Sequence, residues 1–211
     1  MIKIIKEDLI QTSPSRGGYV ASHAYLLKHP NGNILFYNTS DEASFDSIEK
    51  EGGFAYQILS HRDESGPNLS KLKKRFDSKL VASEMEVPFI ASDVDVVLSD
   101  PMASFSDAHK DVVVLHTPGH TNGSLCVYYK SPVTDLLYLF TGDTLWKNGD
   151  SWDTFLFPGV SSRDDLISSL SKKLRKLNPN LVIGSAFSGG GDGYEELENT
   201  DQWLKIIESN L

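Results

Sequence analysis

The stretch Leu115–Ser124, LHTPGHTNGS, decides the fold because it ends a strand-like run with a histidine-bearing turn. The preceding residues, DVVVLH, predict a strand, and Pro118-Gly119 terminates it. His116 and His120 are four positions apart, a spacing that binds zinc on a helix, but the intervening proline and glycine prevent a helix here. We therefore expect His120 in a loop at the strand end, and His116 in the strand as a packed residue.

Other side chains that can bind a metal also follow predicted strands. His61 and Asp63 follow FAYQILS, Asp143 follows LLYLFTG, and Ser185 follows LVIG. A single histidine or aspartate at such a place is usually a turn or core residue. Their recurrence at several strand ends, where binding and catalytic sites are commonly built, indicates a shared site.

The runs LHTPGHTNGS and LYLFTGDTLW together resemble the metallo-β-lactamase superfamily, in which a Thr-Pro-Gly-His-Thr turn supplies a metal histidine and a Gly-Asp turn supplies a bridging aspartate. NILFYNTS resembles that family's early strand, with Asn38 where an aspartate is common. The resemblance implies an α+β fold, a four-layer αβ/βα sandwich with its site between the two sheet edges. We expect residues 1–211 to form a single domain of this kind.

The resemblance also indicates which family ligands have been replaced. The family's main metal loop has the order His, any, His, any, Asp, His. His61 fills the first place, Asp63 stands at the second histidine, Ser65 replaces the aspartate and Gly66 replaces the last histidine. Ser185 stands where a further histidine is usual. The resemblance therefore implies that one of two metal pockets has lost its ligands, so that at most one ion binds.

The resemblance leaves four residues for the remaining pocket, His61, Asp63, His120 and Asp143, all able to bind one divalent ion. Zinc accepts such a mixed set, and the high oxygen content shifts the preference toward manganese or iron(II). Asp143 is expected as a ligand or as the catalytic group that orients water, with Glu64 as the nearest substitute for the missing base. The hypothesis is a mononuclear hydrolase of small ester, lactone or thioester substrates.

Two other functions fit parts of the same pattern. The lost ligands also suit a catalytically inactive scaffold that binds a small molecule or a partner protein. His61 and Asp63 with a distant His120 match the facial triad of iron(II) oxygenases. Those triads occur in all-β jelly rolls, which the helices predicted at 69–76 and 162–177 disfavour.

Four aromatic residues cluster after the Gly-Asp turn: Trp146, Trp152, Phe155 and Phe157. We expect them to pack in the core. The alternative is that they line the cleft, which would indicate an apolar substrate or partner.

The overall composition excludes several classes of protein. A net charge of −9 argues against a nucleic-acid-binding protein, and no window is apolar enough to span a bilayer. The single cysteine, Cys126, lies in a predicted strand and is expected to be a buried, unreactive thiol. Without a signal peptide pattern, a cytoplasmic location is expected. Further helices are predicted at 41–51 and 195–207, and the sequence does not fix the oligomeric state.

Overall fold

A computed structural model describes residues 2–17, 19–99 and 102–211. Short strands dominate, and four helices are distributed between the two halves of these ranges. The helices are α1 (Ala43–Lys50), α2 (Asn68–Phe76), α3 (Arg163–Lys172) and α4 (Thr200–Ser209). The strands are β1 (Lys3–Lys6), β2 (Leu9–Gln11), β3 (Ser15–Gly17), β4 (Val20–Ser22), β5 (Tyr25–Leu27), β6 (Ile34–Phe36), β7 (Tyr56–Ile58), β8 (Lys79–Ser83), β9 (Val96–Leu98), β10 (Met102–Ala103), β11 (Val112–His116), β12 (Leu125–Lys130), β13 (Leu137–Gly142), β14 (Trp146–Asn148), β15 (Ser151–Asp153), β16 (Leu181–Gly184), β17 (Ala186–Ser188) and β18 (Tyr194–Glu196).

Two large mixed sheets face each other across an apolar core. The first has the order β1-β2-β5-β6-β7-β8-β9, and the second has the order β10-β11-β12-β13-β16-β18. Phe36 of β6 stacks on Phe140 of β13 with ring centroids 3.7 Å apart, which joins the two sheets at their centres. A smaller sheet of order β15-β14-β17-β4-β3 forms from segments of both halves.

Helices cover the outer face of each large sheet. On the first sheet, Phe45 and Ile48 of α1 and Leu72 of α2 pack against Leu26 and Leu35. The second sheet is covered in the same way by buried residues of α3 and α4, which are Leu166, Leu170, Trp203 and Ile207. Full burial of one such side chain stabilises the fold by about 1.5–3 kcal/mol. The result is the predicted α+β sandwich of four layers.

The two C-terminal helices are shorter than the sequence pattern predicts. The helix predicted at 162–177 is α-helical only to Lys172, and Leu174–Lys176 continues as a 3₁₀ turn. The helix predicted at 195–207 begins only at Thr200, since Tyr194–Glu196 pairs with β16 as an edge strand. The spacing of apolar residues does not fix where these helices begin and end, because the boundaries depend on tertiary contacts.

The predicted character of Cys126 is confirmed. The thiol is buried, and this burial raises its pKa to about 11. A thiol with so high a pKa is not ionised near neutral pH and is a poor nucleophile. Over the residues that the structure describes, no helix is both long and apolar enough to cross a membrane.

Candidate metal centre

The structure brings together three of the four predicted ligands. His61, His120 and Asp143 each offer one ligand atom, and these atoms lie within 4.8 Å of one another. Asp63 is not part of this set, but its Oδ2 lies 3.4 Å from Nε2 of His120. The donors come from the loops after β7 and β11 and from the residue after β13, so both large sheets contribute to one centre.

His61 lies between two carboxylates. Its Nε2 is 3.5 Å from Asp143 Oδ2, and its Nδ1 is 3.3 Å from Glu64 Oε1 and 2.8 Å from Ser60 Oγ. Burial alone would lower the pKa of His61, but the negative charges of Asp143 and Glu64 outweigh it and hold that pKa well above its ordinary value. A carboxylate behind a histidine that faces a centre is the usual arrangement around metal ligands.

His120 presents an unused nitrogen to the same centre. Its Nδ1 lies 3.2 Å from the carbonyl oxygen of Phe155, which can only accept, so Nδ1 carries the proton. In the neutral ring Nε2 then holds a lone pair. This nitrogen is buried, and among the described residues it has no hydrogen-bond partner. Buried polar atoms are rarely left unpaired, which points to a group bound here.

Asp143 is held in place by the chain that follows β16. Its Oδ1 accepts hydrogen bonds from Ser185 Oγ at 2.8 Å and from the Ala186 backbone N at 3.2 Å. Burial raises the pKa of Asp143, but the positive charge on His61 more than offsets this effect, and the pKa is lowered. The carboxylate is therefore ionised, and Oδ2 remains directed at the histidine.

A glycine lets the end of β13 approach the histidine loop. Gly142 has φ of 55°, and a Cβ at this position would overlap Ser60 Oγ. Its backbone N also donates to the buried hydroxyl of Tyr37 at 3.0 Å. The close approach carries Asp143 to His61, so the contact between the sheets and the ligand geometry depend on the same residue.

Asp63 lies at the solvent side of the centre. Its side chain is about half exposed, with a fractional exposure of 50%. Contact with His120 lowers the pKa of Asp63, so this carboxylate is also ionised. Asp63 therefore contacts His120 from the side of the cleft.

A buried carboxylate, Glu86, joins the two loops that carry the histidines. From the loop after β7, Arg62 donates to Glu86 Oε2 through its backbone N (3.0 Å) and its Nε (2.6 Å). From the loop after β11, Thr121 Oγ1 (3.0 Å) and the Gly123 backbone N (2.8 Å) donate to Glu86 Oε1. Both loops therefore take their positions from one buried anion.

The side chains that stand at the second metal pocket of the family pattern either make hydrogen bonds within the protein or offer no donor atom. Ser65 Oγ accepts from the Ala91 backbone N at 2.7 Å, and Gly66 has no side chain to offer. Ser185 Oγ is the donor to Asp143 described above. Glu64, considered as a substitute base, lies behind His61 with a nearly buried side chain, so the structure does not support that role.

The centre opens into a cleft of about 610 Å³. Phe155 and Phe157 line one wall, while Trp146 and Trp152 are buried. The expectation that all four aromatic residues belong to the core is wrong for the two phenylalanines. It is confirmed for the tryptophans, and Trp152 Nε1 donates to Glu195 at 2.9 Å.

Sequence reasoning missed the residues that orient the ligands. Ser60 and Glu64 adjoin the histidine and could have been suspected from that position. Glu86 carries no sequence signal, because its role depends on two loops that are distant in the chain. His116 lies outside the centre as expected, and its Nε2 is 2.9 Å from the carbonyl oxygen of Asn122.

Comparison with known proteins gives one family and a consistent fold. The sequence profile described as "Metallo-beta-lactamase superfamily" matches residues 51–185. A protein named hydroxyacylglutathione hydrolase from Bartonella henselae is 35% identical over 126 residues, which is 60% of this chain and 45% of that protein. The chain thus spans less than half the length of the curated relatives it matches.

Solved structures show the same fold at low sequence identity. A metallo-beta-lactamase from Pontibacter korlensis superposes with a TM-score of 0.70 at 14% identity, over 100% of this chain and 99% of that one. ETHE1 from Myxococcus xanthus superposes with a TM-score of 0.62 at 18% identity, over 95% and 91% of the two chains. At these identities the likeness establishes the architecture and not the chemistry.

Proposed function

Because the chain belongs to the metallo-β-lactamase superfamily, we propose that it is a metal-dependent hydrolase that holds one divalent ion and cleaves ester, lactone or thioester bonds in small molecules. His61, His120 and Asp143 are the proposed ligands, with Asp63 as the fourth. The observation that carries the proposal is the buried Nε2 of His120, which has no hydrogen-bond partner within the described chain, lies 3.4 Å from Asp63 Oδ2 and converges with the ligand atoms of His61 and Asp143.

The donor chemistry fits such an ion. An ion that binds here would displace the proton from His61. Two neutral imidazoles and two carboxylates then balance a divalent cation, and zinc accepts nitrogen and oxygen ligands together. When bound, the ion polarises a carbonyl oxygen and lowers the pKa of a water toward about 7. Asp143 is proposed as a ligand or as the acceptor that orients this water, since its Oδ1 is held by Ser185 and its Oδ2 faces the centre.

The names of relatives support the class of reaction. The Bartonella protein is named as a hydrolase of a glutathione thioester, and carbonyl substrates of that kind suit the proposed centre. The matched segment covers under half of the Bartonella protein, so the substrate of that protein is not assigned to this chain.

Metal analysis tests the proposal directly. Protein purified without chelator is expected to contain about one equivalent of divalent metal, and His120→Ala is expected to lose it because one of few ligands is removed. His116→Ala is the matched control, since this histidine lies outside the cleft and should leave the metal content unchanged. A protein that is purified without metal and does not bind added zinc, manganese or iron(II) would contradict the proposal and favour an inactive scaffold.

A second candidate function follows from the ligand types. His61, His120 and Asp143 form a set of two histidines and one carboxylate, which is typical of non-haem iron(II) enzymes that use oxygen. The carboxylate differs from the one expected from sequence, where Asp63 completed the triad. Iron as the bound metal, with oxygen uptake and without ester hydrolysis, would favour this candidate over the hydrolase.

A further inference from the structure

An aromatic stack forms one wall of the cleft and reaches the metal centre. Trp146 and Phe155 are parallel with ring centroids 4.1 Å apart, and Phe155 and Phe157 are parallel at 5.8 Å. Phe157 is 46% exposed, and its ring lies 5.7 Å from that of His120. An exposed apolar ring beside a reactive centre offers a surface for an apolar substrate group.

Much of the rest of the cleft is lined by polar groups without charge. Val20 adds an apolar side chain to this lining. The uncharged residues with hydroxyl or amide side chains in the lining are Ser15, Tyr19, Ser22, Tyr37, Asn38, Ser40, Ser65, Asn68 and Ser185. These groups can bind a carbonyl or an ether oxygen without requiring a charged substrate.

The charged side chains at the cleft are acids. Asp63, Glu64 and Asp143 contribute to the lining, and no lysine or arginine is found among the lining residues that the structure describes. Arg62 follows His61 directly but is bound to Glu86. The three carboxylates outnumber the two positive charges of a divalent ion, so a substrate carboxylate would gain no net attraction and would lie beside acids.

We propose that the substrate presents an uncharged, apolar acyl group that packs on the wall formed by Phe155 and Phe157. The inference rests on the proposed hydrolase function for turnover, but the preference in binding stands without it. The two phenylalanine rings favour a hydrocarbon acyl group, and the nearby acids disfavour a carboxylate on that group.

Matched esters test the acyl preference in metal-loaded protein. p-Nitrophenyl butyrate and p-nitrophenyl hemisuccinate differ in a terminal methyl against a carboxylate, and kcat/KM is expected to favour the butyrate by about tenfold or more. The butyrate should also exceed the acetate by about tenfold, because two further methylenes are buried. Phe157→Ala should abolish most of this difference, whereas Val133→Ala, which truncates a remote exposed residue, should preserve it.

A charge substitution tests the electrostatic part. Ser40→Lys places a cation at the cleft and is expected to raise the hemisuccinate-to-butyrate ratio several-fold. Ser70→Lys adds the same charge on an exposed position of α2 outside this cleft and should leave the ratio unchanged.

The outcomes separate the two proposals. Equal use of both esters, or an acyl-length preference that survives Phe157→Ala, would overturn the inference and leave the hydrolase function standing. If neither ester is hydrolysed, the ester-hydrolase part of the proposed function fails, and the inference is judged by ligand-detected NMR with butyrophenone and 3-benzoylpropanoate. Preferred binding of the neutral ketone supports it, while equal binding, preference for the carboxylate or no binding overturns it.

Discussion

Glu64 illustrates how one residue shapes the site from behind a ligand. Its Oε2 accepts from the Ser60 backbone N at 2.7 Å, and its Oε1 accepts from the Ser60 hydroxyl and lies 3.3 Å from His61 Nδ1. The carboxylate thereby directs Nε2 of His61 toward Asp143. Outer groups of this kind fix the orientation and raise the basicity of a metal-binding histidine.

We expect Glu64→Gln to weaken metal binding by about 10- to 100-fold while the protein still folds, because the neutral amide keeps the shape but loses the charge. Competition with a chromophoric chelator measures the affinity. Glu84→Gln is the control, since Glu84 is exposed on the chain after β8. An unchanged affinity in both variants would show that Glu64 does not act on His61.

For single residues, the sequence predicts which ones belong to the site better than it predicts how their side chains are oriented. His120 and Asp143 could be identified from a turn motif whose local geometry places them at strand ends. The direction of Glu64 could not, because it depends on a three-residue 3₁₀ turn at Arg62–Glu64, after which the carboxylate contacts Ser60 and His61 Nδ1. Asp63, on the same turn, is turned to the solvent side.

At the scale of elements, Glu86 links loops of the two large sheets, because β7 and β8 belong to the first sheet and β11 belongs to the second. It follows β8, yet it accepts from the loops after β7 and β11. The Arg62 guanidinium lies 3.7 Å from the Phe89 ring and also bonds Asn122, which closes the arrangement. An ion pair that is largely buried is costly to break from one side, because the remaining charge loses its partner.

Glu86→Gln is expected to destabilise the protein by about 3 kcal/mol, measured by urea unfolding, because Arg62 is left without its anion. Glu42→Gln is the matched comparison, since Glu42 pairs with Lys71 at the surface, with 61% and 59% of the two side chains exposed. Such a pair contributes about 0–1 kcal/mol. Similar losses in the two variants would contradict the role given to Glu86.

The boundaries of helices and strands are predicted correctly from sequence only where local features determine them. The helix predicted at 69–76 agrees with α2 within one residue, because its apolar spacing and the left-handed Asp77 that ends it are local features. The early part of the last predicted helix instead became β18, since Tyr194–Glu196 completes the edge of a sheet. Only the neighbouring strand β16 decides between these two outcomes.

At the scale of the whole molecule, the candidate metal centre lies between the two large sheets. His61 belongs to the first sheet's loops, whereas His120 and Asp143 belong to those of the second. The order of strands and helices predicted sheets packed together with helices outside, and the resemblance of the two turn motifs to the superfamily implied the four layers. The small third sheet, built from strands of both halves, could not be predicted because its pairs are distant in sequence.

Metal should therefore stabilise the molecule as a whole. A hundredfold excess of zinc over its Kd is expected to add about 2.7 kcal/mol, which corresponds to a rise in Tm of roughly 5–10 °C for a chain of this size. Differential scanning calorimetry with and without zinc measures the shift. His120→Ala should show little of it, and an equal rise in that variant would indicate binding elsewhere.

Gly142, at the end of β13, tolerates substitution less well than the side chains that face the cleft. A side chain that only faces the cleft can be exchanged without moving the backbone. A single methyl group at Gly142 would instead overlap Ser60 and force the ends of the two sheets apart. A substitution at this glycine is therefore expected to damage the fold and the site together.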